Sequence, residues 1–140
     1  MKTILLADDN PGPALLCKME LEEEGYRVLL ADDGEQAYRI TQEKSPDVVV
    51  LDIAMPCVNG LEALGRIKAV CPDIPVVLFT HFDEECLRDE RARLASACVE
   101  KSAGDLSELK RAIVRALTFG GSNAPLRLGL PGVARRASSN

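Results

Sequence analysis

Apolar and polar positions along the chain follow two alternating patterns. Short apolar runs such as Val48-Val49-Val50-Leu51 and Val76-Val77-Leu78-Phe79 predict strands. Between them, apolar residues recur every three or four positions, which predicts amphipathic helices. Gly25, Ser45-Pro46 and Cys71-Pro72 stand where three of these helices end. The predicted strands are 3–7, 26–31, 47–51, 75–79 and 97–100, and the predicted helices lie near 13–24, 34–44, 60–70, 84–94 and 105–118.

Strands and helices in strict alternation predict an α/β domain. The strand runs are continuously apolar, as expected when helices cover both faces of a parallel sheet. Right-handed crossovers then give a doubly wound five-stranded parallel sheet, (βα)5, for which we expect the strand order 2-1-3-4-5. Ligands of such sheets bind beyond the carboxyl ends of the strands, where the winding direction reverses.

The character of the sequence changes after residue 119. Residues 120–140 are rich in glycine, serine and proline, a composition typical of linkers. We therefore expect one folded domain over 1–119, followed by a flexible tail or truncated linker over 120–140. Leu126, Leu128 and Leu130 alternate with other residues, so a short extended segment is the less favoured interpretation of this part.

Length and composition narrow the class of protein. The chain has 140 residues, of which 46% are hydrophobic and 28% are charged, enough to bury the core of one globular domain. No apolar run approaches the ~20 residues of a membrane-spanning helix. The N-terminal sequence also becomes acidic too early for a secretory signal. A soluble cytoplasmic protein without membrane contact is predicted.

Charge and cysteine content exclude two further classes. The formal net charge is −5, and every acidic residue precedes residue 120. A surface of this sign does not favour direct nucleic-acid binding, which requires clustered basic residues. The five cysteines form no C-x-x-C pair and His81 is the single histidine, so we expect reduced thiols and no zinc site.

Candidate chemistry lies where the predicted strands end. Four of the five strands run directly into an ionisable or hydroxyl residue, and with the order 2-1-3-4-5 these four ends are contiguous. Strand 2 lies at the edge, and we interpret its Asp32-Asp33-Gly34 as a turn and helix cap. The residues at the four contiguous ends are Asp8-Asp9, Asp52, Thr80 and Lys101.

Three carboxylates in one place repel one another unless a cation neutralises them. Magnesium fits, because it binds one or two carboxylates together with waters and phosphate oxygens. Lys101 would add a positive charge that faces a phosphoryl group, and Thr80 would supply a hydroxyl donor. One aspartate would act as the nucleophile. The pattern therefore predicts magnesium-dependent phosphoryl chemistry.

These residues, taken in order, resemble the receiver domain of two-component response regulators over residues 1 to about 119. The resemblance implies a flavodoxin-like fold and a signalling switch that is not an enzyme in the ordinary sense, although it phosphorylates itself with magnesium and loses the phosphoryl group slowly. Each motif is short, and the ordered set carries the likeness. The matching residues are Asp8-Asp9, Asp52-Ile53-Ala54-Met55-Pro56, Asn59-Gly60-Leu61-Glu62, Thr80 and Lys101.

The resemblance also implies a role for each matching residue. Asp52 would accept a phosphoryl group from a histidine kinase or a phosphotransfer protein. Asp9, Asp52 and the backbone carbonyl of Ala54 would bind Mg²⁺, with Asp8 acting through a bound water. Thr80 would move toward the phosphoryl group, and Lys101 would pair with it. Output to a downstream protein would use the face formed by the fourth helix, fifth strand and fifth helix.

Several positions depart from the family pattern. Ser102 stands where receivers usually have proline, and Cys98 stands where an aromatic residue often turns inward on activation. His81 replaces a small residue, and three interpretations stay open: a solvent-facing loop residue, a partial gate, or a proton-transfer group. Ala54 and Phe82 cannot orient an attacking water, which predicts a long-lived phosphoryl group.

Two alternatives to the switch stay open. The first is a degenerate receiver that binds partners without phosphorylation. The second is a magnesium-dependent phosphohydrolase with an aspartate nucleophile, but such enzymes carry a second aspartate two residues later. Ala54 occupies that position after Asp52, and Asn10 occupies it after Asp8.

Overall fold

The protein folds around one parallel sheet flanked by helices. The structure, a computed structural model, describes residues 1–55, 58–81, 88–101, 105–119 and 126–127. The sheet order is β2-β1-β3-β4-β5-β6, and the described strands pair in parallel. This order confirms the predicted 2-1-3-4-5 order of the first five strands. The strands are β1 (Thr3–Ala7), β2 (Arg27–Ala31), β3 (Val48–Leu51), β4 (Val76–Thr80), β5 (Ala97–Glu100) and β6 (Leu126–Arg127).

The helices begin and end where side chains satisfy the terminal backbone groups. The Asp33 carboxylate accepts from the N–H of Gln36, as the Asp-Gly pattern predicts, and Asn59 caps the third helix in the same way. Ser45 ends the second helix in the left-handed region, directly before a proline. The α-helices are α1 (Pro11–Glu23), α2 (Gly34–Lys44), α3 (Gly60–Val70) and α4 (Ser107–Phe119). Within the described part of the chain, no helix has the length and hydrophobicity of a membrane span.

The core consists of two apolar layers, one between each face of the sheet and the helices that cover it. One layer joins the sheet to α2 and α3, with Leu51, Leu64 and Ile67 fully buried. The other joins the opposite face to α1 and α4, where Leu21 and Ile113 are fully buried. Every residue of β3 is buried, as expected for a central strand covered on both faces. The sheet edge that carries the polar residues is therefore held by a rigid core.

The segment before β5 differs from the predicted helix 84–94. Residues 90–94 form a 3-10 helix, Glu90–Leu94, while residues 82–87 lie outside the described part of the chain. The Asp89 carboxylate accepts from the Arg91 N–H at 2.9 Å and caps this short turn. Ala92 and Ala95 are buried in the layer that contains α3, so small side chains fix the turn close to the core.

The predicted tail contains a short strand. Leu126–Arg127 pairs in parallel with Ala97 and Cys98 of β5, so these two residues are extended and bonded to the sheet. The less favoured interpretation of the sequence was right for them, because the edge of β5 offers unpaired backbone groups. The other residues of the predicted tail, 120–125 and 128–140, lie outside the described residues, and the domain boundary at 119 stays a prediction.

Gly60 permits α3 to begin against the loop that follows β3. A Cβ atom at this position would meet the carbonyl of Asp52 and would lie 2.7 Å from the Cα of Ile53. We expect Gly60→Ala to lower the free energy of unfolding by about 2 kcal/mol, because backbone atoms cannot yield as a side chain can. Gly12→Ala is the control, since a Cβ there meets nothing within 4 Å. Urea unfolding measures both, and equal stability of the two variants would contradict this packing.

Candidate functional site

The acidic residues predicted at the ends of β1 and β3 lie side by side. The N–H of Asp52 donates to the carbonyl of Ala7 at 3.0 Å, and the N–H of Asp8 donates to Ala31 at 3.1 Å. These bonds continue the strand pairing by one residue and fix both backbones at the carboxyl edge of the sheet. The reversal of winding lies between β1 and β3, so the carboxylates stand at the expected ligand position.

Three carboxylates converge there. One oxygen from each of Asp8, Asp9 and Asp52 can be chosen so that all three lie within 4.8 Å of one another. Asp8 and Asp52 are buried, with 6% and 8% of their surface exposed, while Asp9 is exposed. The sequence predicted this convergence from the strand order alone.

Lys101 joins the two buried carboxylates. Its Nζ donates to Asp8 Oδ2 at 2.7 Å and to Asp52 Oδ2 at 2.8 Å, and it lies 5.6 Å from the centroid of the Phe79 ring. Burial by itself lowers the pKa of this ammonium, but the hydrogen bonds and charges of Asp52 and Asp8 outweigh it and raise the pKa above the usual range. Lys101 is therefore held in its charged form.

The second oxygen of each buried carboxylate is held by backbone. Asp8 Oδ1 accepts from the Asn10 N–H at 2.9 Å, and Asp52 Oδ1 accepts from the Ala54 N–H at 3.1 Å. The loop after Asp52 is itself fixed, since the Gly60 N–H donates to the carbonyl of Ile53 at 2.9 Å. Both carboxylates are thus pre-oriented before any ligand arrives.

Among the other predicted residues, Thr80 adjoins Lys101. The Thr80 residue is buried, and its carbonyl accepts from the Lys101 N–H at 3.0 Å, which ties the end of β4 to the lysine. Ala54 and His81 are exposed. Cys98 is buried in the layer that contains Ala92 and Ala95.

Ser102 and Phe82 lie outside the described residues. Cys17, Cys71 and Cys98 form no disulfide bond within the described part of the chain, and the other two cysteines are not described. The expectation of reduced thiols stays a prediction.

A cleft of about 460 Å³ opens beside the charged group, and it was not predicted from the sequence. We call it the α1 cleft. Burial raises the pKa of the Cys17 thiol on its wall to about 11, with a smaller contribution from the Asp8 charge, so this thiol stays neutral near pH 7. The sequence did contain a signal for the cleft. Leu16 and Met19 are apolar residues of α1 that lie outside the buried face of this helix. The lining includes Leu6, Leu16, Met19, Phe79 and Leu106, with Asp8, His81 and Lys101 among its polar members.

Comparison with known proteins decides the family. The family model for the response regulator receiver domain matches residues 4–114. The chain belongs to the response regulator receiver domain family. Receiver domains of this kind serve as signalling switches in two-component and phosphorelay systems, so the resemblance read from the sequence is confirmed.

Individual relatives agree with this assignment. Sporulation initiation phosphotransferase F of Bacillus subtilis is 31% identical over 114 residues, which are 81% of this chain and 92% of that protein. Several other curated relatives are transcriptional regulators, and the chain spans about half of their length or less.

Solved receiver structures share the fold. The response regulator TrrA of Thermotoga maritima, crystallised with Mg²⁺-BeF, is 36% identical with a TM-score of 0.77, over 82% of this chain and 98% of that one. TrrA in complex with the histidine kinase ThkA gives 37% identity and a TM-score of 0.76, over 84% and 99% of the two chains. The flavodoxin-like architecture expected from the sequence is therefore that of receiver domains.

Proposed function

We propose that this receiver is a phosphorylation-controlled switch in which Asp52 accepts the phosphoryl group. One observation carries the proposal: Asp52 is buried, fixed through one oxygen by backbone and through the other by Lys101, beside two further carboxylates. Such a carboxylate is pre-oriented for attack, and a cation stands where negative charge develops.

Magnesium is the cofactor that we propose for this site. Three carboxylates and the Lys101 ammonium leave an excess of two negative charges, and the donor atoms are hard oxygens. Asp9, Asp52 and the Ala54 carbonyl would bind the ion directly, with Asp8 acting through a water. When bound, Mg²⁺ would neutralise the carboxylates and the oxygens of the incoming phosphoryl group.

The residues of the chain would then perform the transfer. A carboxylate oxygen of Asp52 attacks phosphorus, and the bond from phosphorus to the donor atom breaks with its electron pair leaving on the donor. The Lys101 ammonium pairs with the phosphoryl oxygens, and the Thr80 hydroxyl donates to one of them.

A histidine kinase or phosphotransfer protein is the proposed donor. The support is the ThkA complex of TrrA, since that complex joins a similar receiver to a kinase. Three further points stay predictions. They are a cytoplasmic location, the lack of direct nucleic-acid binding, and output to an unidentified downstream protein through the face formed by the predicted helix 84–94, β5 and α4.

Phosphoryl uptake distinguishes the switch from the alternatives. Incubation with Mg²⁺ and acetyl phosphate should add one phosphoryl group to the intact mass, and EDTA should prevent it. A mass that stays unchanged would favour a degenerate receiver. Rapid steady release of inorganic phosphate with no protein adduct would favour a hydrolase.

Magnesium binding should be visible as stabilisation. At ten times its dissociation constant, Mg²⁺ should stabilise the fold by about 1.4 kcal/mol and raise the thermal midpoint by about 5 °C. Asp9→Asn should lose most of this shift, whereas Asp32→Asn, an exposed aspartate outside the cluster, should retain it. Equal shifts in the two variants at constant ionic strength would contradict the proposed ligand set.

The phosphoryl group should be long-lived, because the residue two positions after Asp52 is alanine. The Ala54 methyl group cannot hydrogen-bond to a water that attacks phosphorus. We expect Ala54→Asn to shorten the half-life of the purified phosphoprotein by at least about tenfold, since the backbone carbonyl at 54 is kept. Decay of the intact phosphorylated mass measures this, and a wild-type half-life of seconds would contradict the prediction.

A further inference from the structure

The α1 cleft combines an apolar wall with a charged end. Leu16 and Met19 line it from α1 and are 66% and 52% exposed, so they are available to a ligand. Phe79 of β4 and Leu106, just before α4, add further apolar surface. Apolar clefts with a few converging polar groups are typical of small-molecule sites.

The charged end of the cleft contains the lysine that pairs with the proposed acceptor. Lys101 lines the cleft and also donates to Asp52 Oδ2 at 2.8 Å. Through this lysine, the cleft adjoins the position that a phosphoryl group on Asp52 would occupy. Glu20 and Glu23 also line it, so an anionic tail would be repelled and a neutral apolar tail would be accepted.

We propose that the α1 cleft binds the acyl chain of small acyl phosphates, and that this receiver prefers donors with acyl groups longer than acetyl. The proposal rests on the proposed function of Asp52. An Asp52 carboxylate oxygen attacks phosphorus, the bond between phosphorus and the acyl oxygen breaks, and the carboxylate leaves with the electron pair. No oxidant, reductant or proton is required for this balance.

A donor series tests the preference. Acetyl, propionyl and butyryl phosphate have leaving groups of nearly equal basicity and differ in apolar size. With Mg²⁺ present and donor below saturation, the initial rate of phosphorylation should rise by about fourfold for each added methylene. Equal rates for the three donors would overturn the proposal.

Two neighbouring leucines of α1 provide a matched pair. Leu16→Asp should remove the preference for butyryl over acetyl phosphate, because it places a charge in the cleft. Leu15→Asp is the control, since Leu15 is 52% exposed on the same helix but does not line the cleft. Loss of the preference in both variants, or in neither, would contradict the assignment.

Binding without reaction separates this proposal from the proposed function. Propylphosphonate should shift the ¹³C-methyl NMR signal of Met19 at a concentration several times lower than methylphosphonate requires, and Leu16→Asp should abolish that difference. An unshifted Met19 signal would overturn the cleft assignment. If no donor phosphorylates the protein but the Met19 shift is observed, the proposed function fails and the cleft assignment stands.

Discussion

Asp52→Asn is expected to take up no phosphoryl group where the wild type gains one. The amide lacks the carboxylate nucleophile, so uptake should fall at least about a thousandfold. The fold should survive, because an asparagine Oδ1 can still accept the hydrogen bond that Asp52 receives from the Ala54 N–H. Intact mass after incubation with Mg²⁺ and acetyl phosphate measures the uptake.

Asp32→Asn provides the control for this variant. Asp32 is an exposed aspartate at the end of β2, outside the carboxylate cluster. It should be phosphorylated at the wild-type rate. Undiminished uptake by Asp52→Asn, with a wild-type thermal midpoint, would show that another group accepts the phosphoryl group.

Lys101→Met should impair both stability and phosphorylation. Without the ammonium, Asp8 and Asp52 face each other as buried carboxylates, which should cost about 3 kcal/mol of stability without magnesium. Phosphoryl uptake should slow by about a hundredfold, because the charge that faces the phosphoryl oxygens is lost. Urea unfolding and initial phosphorylation rates measure the two effects.

The effect of this variant on stability should depend on pH in a defined direction. The folded state raises the pKa of Lys101, so its stabilising contribution is full below the usual lysine pKa and is lost as pH rises through the folded value. The difference in the free energy of unfolding between wild type and Lys101→Met should therefore shrink above about pH 10.5.

Lys110→Met is the matched control for Lys101→Met. Lys110 pairs with Glu20 and Glu24 at the surface, at 3.0 and 3.4 Å, and solvent screens these pairs. Its loss should change stability and phosphorylation little. Similar losses in the two lysine variants would contradict the special role given to Lys101.

The site could be predicted because strand order converts sequence positions into neighbours. Asp8 and Asp52 each follow a continuously apolar run, and parallel strands bring such ends to one edge of the sheet. Lys101 follows β5, two strands away from β3, and its long side chain spans that distance to reach Asp52. The orienting bonds from the N–H groups of Asn10 and Ala54 could not be predicted, because they depend on loop conformation.

Two parts of the fold could not be predicted in the same way. The periodicity over 84–94 indicated an α-helix, but Asp89 caps a 3-10 turn and Ala92 and Ala95 pack it against the core. Local pattern cannot distinguish the two helix types when tertiary packing decides. The α1 cleft was also missed, since its walls come from α1, β4 and the segment before α4.

The most direct test of the central claim is to locate the phosphoryl group chemically. Borohydride reduces an aspartyl phosphate to homoserine, and peptide mass spectrometry then identifies the residue. After reaction with Mg²⁺ and acetyl phosphate, we expect homoserine at position 52 alone. Homoserine at position 8 or 9, or a phosphoryl adduct on His81, would contradict the assignment of Asp52 as the acceptor.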